Sequence, residues 1–150
     1  MATFLDLRTS QNSNTVGFIN GALPVTPADG VMFGDIGLII GSGAARVDLN
    51  ATIGLNPGLT VPATARITIV RNPTTISSPT GGTTILTADY VLTDAGATKV
   101  VTIDASDINA TASALTPGQV NYSIFAQNAT TGTIITRTGP ESLSGIAATG

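Results

Sequence analysis

Apolar residues recur at every second position in this chain, and that period constrains its fold more than any other feature. Between residues 45 and 53, Ala45, Val47, Leu49, Ala51 and Ile53 fall on one side of an extended backbone. Arg46, Asp48, Asn50 and Thr52 fall on the other, the signature of a strand with one buried face. Ala65, Ile67 and Ile69 alternate with Thr64, Arg66 and Thr68 in the same way, and Val120, Tyr122, Ile124 and Ala126 alternate with Asn121, Ser123 and Gln127. Shorter β-capable runs lie at 3–7, 16–20, 31–40, 83–90, 99–103, 133–138 and 142–147.

Turn chemistry separates these runs: Asp29-Gly30, Asn56-Pro57-Gly58, Pro79-Thr80-Gly81-Gly82, Asp94-Ala95-Gly96, Thr116-Pro117-Gly118 and Gly139-Pro140. Abundant threonine, β-branched and stiff at its first side-chain torsion, suits pleated strands better than helices. A helical turn is expected only within 105–115. About ten short strands with turns between them describe an all-β, single-domain β-sandwich, a jelly roll of about 8–10 strands. Residues 1–26, rich in interrupting polar side chains, read as an N-terminal arm or a first strand, and 27–150 as the sandwich itself.

Composition narrows the chemistry. The chain has 150 residues, no Cys, His or Trp, and only 10% charged residues. Catalysis through a Ser-His-Asp or Cys-His arrangement, zinc ligation through Cys or His, and disulfide stapling are therefore impossible within it. A net charge of −3 argues against nucleic acid, whose phosphates require a basic surface. No apolar run is long enough for a membrane-crossing helix, and no basic segment introduces a secretory leader. The expectation is a protein that is not an enzyme and takes no cofactor, no metal and no membrane insertion.

Three local patterns invite a sharper reading. Residues 38–46 (LIIGSGAAR) resemble a glycine turn for phosphate, but Arg46 stands where the third glycine belongs and period-two sequence follows, so a plain turn is expected. Asp104, Asp107 and Asn109 offer oxygens at calcium-like spacing, too few for six to eight ligands; turn and cap roles explain them better. Tyr90 and Tyr122 sit among alternating apolar residues and are expected in packing rather than as a sugar platform.

The phrases RVDLNATIG (46–54), ITIVR (67–71), VVTIDASDINA (100–110), VNYSIFAQN (120–128) and RTGPESLSGIAATG (137–150) resemble small β-rich exosporium and spore-appendage proteins of endospore-forming bacteria. The resemblance implies a jelly roll of C1q/tumour-necrosis-factor style. It also implies a structural role at a spore or cell surface without a classical signal peptide, and assembly with copies of itself and with other surface-layer proteins. Without cysteine that assembly is non-covalent. An edge poor in lysine lacks the usual protection against strand pairing. Strand addition by the N-terminal segment, with Phe4, Leu5, Leu7, Val16, Phe18 and Ile19 at the interface, is the expected mode. The alternative is a trimeric ligand- or receptor-binding module with Val120, Tyr122 and Ile124 around its axis.

Overall fold

The computed structural model describes residues 2–25, 30–75 and 78–149. Among them nine strands follow one another: β1 (Phe4–Ser13), β2 (Gly21–Ala22), β3 (Val31–Ile39), β4 (Ala45–Asn56), β5 (Ala63–Arg71), β6 (Thr83–Leu92), β7 (Lys99–Ala110), β8 (Gln119–Asn128) and β9 (Thr136–Thr149). All pairings are antiparallel, and they are nested: β5 with β6, β4 with β7, β3 with β8, and β1 with β9. The chain is thus a long folded-back ribbon. Rolling that ribbon adds the pairs β4–β9 and β5–β8 and splits it into two sheets. Their strand orders are β1-β9-β4-β7, with β2 beside β9, and β3-β8-β5-β6. This is a jelly roll, the sandwich anticipated from the period.

The period-two reading holds where one face is buried. In β4, Ala45, Val47, Leu49, Ala51 and Ile53 enter the core and Arg46, Asp48 and Asn50 are exposed. Facing them across the sandwich are Leu38, Ile67, Ile69, Val120, Tyr122 and Ile124, all fully buried. Val120, Tyr122 and Ile124 therefore belong to the interior and are not available for a threefold axis. The outer side of β8 is covered as well. A Cβ placed on Gly30 would lie 3.2 Å from Pro79 Cδ and 3.3 Å from Phe125 Cβ, so the segments before β3 and before β6 close over Phe125.

Several boundaries differ from those expected. The stretch around 105–115 begins as strand, because β7 runs on to Ala110. Residues 133–138 and 142–147 belong largely to one strand, β9, which passes through Gly139-Pro140 rather than turning there. Between the pairs Ile53–Glu141 and Leu55–Arg137, β9 carries extra residues opposite Gly54. Gly139 has φ +75°, and a Cβ on Gly54 would collide with the Gly139 carbonyl. Residues 16–20 form a loop, and the polar run after Leu7 is strand to Ser13. Asp29 and the boundary at 26/27 fall outside the described residues.

Charge is distributed unevenly. Among the described residues, every ionic side chain except Asp94 lies within a strand. All six Lys and Arg are strand residues.

Candidate functional site

The six residues expected at an interface divide into two places. Phe4 and Leu7 are exposed on β1, and Leu7 stands opposite Ile146 of β9, itself half-exposed. Leu5, between them, turns inward and packs against the core. Val16 and Phe18 project from the loop after β1, while Ile19 is half-buried. A ten-residue strand spans about 33 Å, so Phe4 and Phe18 mark opposite ends of the sandwich rather than one continuous arm. In this chain β1 is docked on its own β9 as the outermost strand of the roll.

The two flanks of the sandwich are unlike. On the β1/β3 side the sheets are tied together: the Ile39 amide donates to Asp6 Oδ2 at 2.9 Å, and Asn12 Nδ2 donates to the Phe33 carbonyl at 2.7 Å. The Ile39 amide is the main reason that the Asp6 carboxyl is held below its ordinary range, with Arg8 adding to the effect. On the β6/β7 side no hydrogen bond joins β6 to β7 among the described residues, and β7 is tied to the other sheet through Arg71 of β5 and Tyr122 of β8 instead. There Ile85, Leu86 and Tyr90 of β6 and Ala105 of β7 are only partly buried against the core. Burial, and then the Asp104 carboxylate, raise the Tyr90 hydroxyl above its ordinary pKa. The single carboxylate of β6, Asp89, is neutralised by a two-pronged pair with Arg66 at 2.8 Å, which lowers its pKa.

Two buried polar groups link strands internally. Asp107 accepts from Arg71 Nη1 at 2.8 and 3.1 Å and from the Tyr122 hydroxyl at 2.9 Å, joining the two sheets. Burial, followed by the neighbouring Asp107, drives the Tyr122 hydroxyl strongly upward. Glu141, fully buried in β9, receives Arg137 Nη1 at 3.2 Å and Asn12 Nδ2 at 3.3 Å, while its Oε1 and Arg137 Nε have no hydrogen-bond partner. Burial raises the Glu141 carboxyl, and Arg137 and Asn12 offset part of that shift. Both clusters occupy their own chain's interior and hold strands together.

The outer face of β9, β4 and β7 bears a shallow depression of about 440 Å³ over Asp48, Asn50, Asp104, Ser106, Ser144 and Ile146. Ser106 donates to Asp48 and Asn50 donates to Asp104, each at 2.6 Å, so each carboxylate already has a neighbour in the sheet. Asp104 is on this exposed face whereas Asp107 points inward, and the two do not share an ion site. Among the described residues no three His, Cys, Asp or Glu side chains gather for a metal. The glycine turn at 41–43 simply joins β3 to β4. Among the described residues no helix is long and apolar enough to cross a membrane.

No protein-family model matches the chain, and no curated protein matches it. Solved structures do resemble it. The VP2 subviral particle of infectious bursal disease virus superposes with a TM-score of 0.50 at 9% identity, over 94% of this chain and 32% of the viral one. Eiger TNF from S. frugiperda aligns at a TM-score of 0.40 and 15% identity, over 76% of this chain and 64% of that one. This chain thus spans about a third of the VP2 chain, and the likeness to VP2 is one of fold.

Proposed function

We propose that this chain is a structural subunit that associates with copies of itself, without covalent links, by strand addition at its free sheet edges. The observation that carries this reading is β6. It is a ten-residue edge strand with no Lys, Arg or Pro, beside a flank where Ile85, Leu86 and Tyr90 remain partly open. Long edges of this kind pair readily, because unmade main-chain hydrogen bonds and apolar side chains are presented together. The outer edge of β1, with Phe4 and Leu7 exposed, offers a second such surface. Placement in a spore- or cell-surface layer or fibre, alongside other surface-layer proteins, rests on the sequence resemblance alone. A non-enzymatic role remains part of this proposal.

Mass photometry and negative-stain microscopy over a concentration series test it. The wild type is expected to form multimers that shrink when Thr84 and Thr87, both exposed on β6, are changed to Lys. A wild type that stays monomeric at millimolar concentration overturns the proposal.

A further inference from the structure

Asn20-Gly21 is the one place in the chain where glycine follows asparagine. Such a dipeptide can cyclise on itself, the amide nitrogen of the second residue attacking the carboxamide carbon of the first. Three conditions govern the reaction: a carboxamide free to turn, room beside the attacking nitrogen, and a main chain loose enough to bend into the ring.

The carboxamide is free. Asn12, Asn50, Asn56, Asn72, Asn121 and Asn128 hold theirs in hydrogen bonds. Among the described residues those of Asn14, Asn20 and Asn109 make none. Asn14 precedes the β-branched Thr15 and Asn109 precedes the buried Ala110, so each following nitrogen is screened by a Cβ that glycine lacks. Asn20 itself is exposed in the loop between β1 and β2.

Room is present as well. A Cβ built on Gly21 would meet nothing nearer than Arg137 Nη2 at 3.5 Å and Nε at 3.7 Å, the far end of a flexible side chain. The main chain is lightly held there. β2 has two residues, paired with Arg137 and Thr136, whereas each of the other strands has nine or more. Its neighbouring anchors are the Gly17 amide on the Thr138 carbonyl at 2.6 Å and the Leu23 amide on the Ile135 carbonyl at 2.8 Å. Opening a two-residue ladder takes far less free energy than opening the roll, so the Gly21 nitrogen is released without global unfolding.

We infer that Asn20 is a self-modification site of the folded protein, converting to aspartate and isoaspartate through a succinimide. The Gly21 nitrogen bonds to Asn20 Cγ and gives up its proton, and the side-chain nitrogen leaves as ammonia. Water then opens the ring. Attack of water at Cγ gives an aspartate in the original main chain. Attack at the Asn20 main-chain carbonyl leaves Gly21 joined through Cγ, an isoaspartate with one extra main-chain carbon. Either product has exchanged NH for O and carries a new negative charge. The extra carbon pushes β2 out of step with Arg137 and Thr136 and disturbs the seat of Leu23, which is 4% exposed. The reaction needs no second copy, so it stands or falls separately from self-association.

Folded protein held for weeks at neutral pH and physiological temperature, beside a sample unfolded in guanidinium chloride, tests it. Peptic digestion in acid, where cyclisation stops, and tandem mass spectrometry then locate the change. The folded wild type is expected to accumulate both products at Asn20 and neither at Asn14 or Asn109. Its isoaspartate fraction, separated by chromatography, is expected to melt at a lower temperature than fresh protein. Asn20→Gln, which would have to close a larger ring, is expected to show no conversion. Gly21→Ala is expected to slow it several-fold while leaving the melting temperature unchanged, because Gly21 has no positive φ and its Cβ position is open. If the folded protein keeps Asn20 intact while the unfolded sample converts, or if Gly21→Ala converts as fast as wild type, the inference is overturned. An isoaspartate form that melts like fresh protein overturns the disturbance of β2.

Discussion

Asp107 is the polar group whose removal should matter most to the folded state. It lies 7% exposed on β7, one sheet away from its partners Arg71 and Tyr122 on β5 and β8. Tyr122→Phe deletes one hydrogen bond to a charged acceptor and leaves the Arg71 pair intact. Such a bond contributes about 1.5–3 kcal/mol, and the near-isosteric ring adds little cavity cost, so a loss of about 2 kcal/mol is expected. Asp107→Asn leaves the Arg71 guanidinium, whose side chain is 15% exposed, without its counter-charge. Breaking a buried pair from one side costs about 3–5 kcal/mol. At roughly 2–4 °C per kcal/mol for a chain of this size, the melting temperature should fall by about 6–20 °C. Urea unfolding of the two single variants and the double variant gives the coupling. Tyr122→Phe should cost about 1 kcal/mol less in the Asp107→Asn background, because its acceptor is then neutral. Additive effects, or an Asp107→Asn variant within about 0.5 kcal/mol of wild type, would refute the bridge as a stabilising element.

Glu141 gives a pH dependence of definite sign. Its native pKa is raised by burial, so above the ordinary value of about 4.3 the native state still holds a proton that the unfolded chain has released. Stability should therefore fall as pH rises from there through the native value, and Glu141→Gln should abolish that slope in urea titrations taken at successive pH values. Asp6 and Asp89, whose pKa values are lowered, act in the opposite sense: their contributions are lost as pH falls through their native values. Asp89 is exposed and Asp6 half-buried at the β1/β3 flank, and Asp6→Asn should lower the urea midpoint only above about pH 4. Gly54→Ala places a methyl group against the Gly139 carbonyl, a backbone atom that cannot rotate away. It should cost about 1–3 kcal/mol, read by thermal melting, whereas Gly43→Ala, with open space around it, should leave stability nearly unchanged.

Strands buried on one face are legible in the sequence itself. In β4 and β5, and on the inward side of β8, side chains are apolar because water leaves that face, and their positions follow from period two. Legibility fails where the physics differs. The Thr9-Ser10-Gln11-Asn12 run of β1 shows no alternation, since an outermost strand buries few side chains and draws its order from main-chain bonds to β9. Nothing in the sequence marks Asp107 and Glu141 as buried, for only the fold brings the half-buried Arg71 and Arg137 to donate to them. Gly139-Pro140 reads as a turn, yet the bulge opposite Gly54 absorbs it within β9. Phe125 breaks the alternation of β8 because a distant segment covers it. The six residues expected at an interface do not share one place: Phe4 and Phe18 stand at opposite ends because β1 runs the length of the sandwich.

The confinement of all six basic residues to strands bears on how such a molecule meets proteases. Trypsin needs an extended, unpaired stretch around a Lys or Arg, and here each such residue is held in a ladder: Arg8 in β1, Arg46 in β4, Arg66 and Arg71 in β5, Lys99 in β7 and Arg137 in β9. Cutting thus waits on the opening of a strand rather than on the reach of a loop. Digestion rate becomes a gauge of how often the roll comes apart, with Arg8 on the outermost strand the first bond at risk.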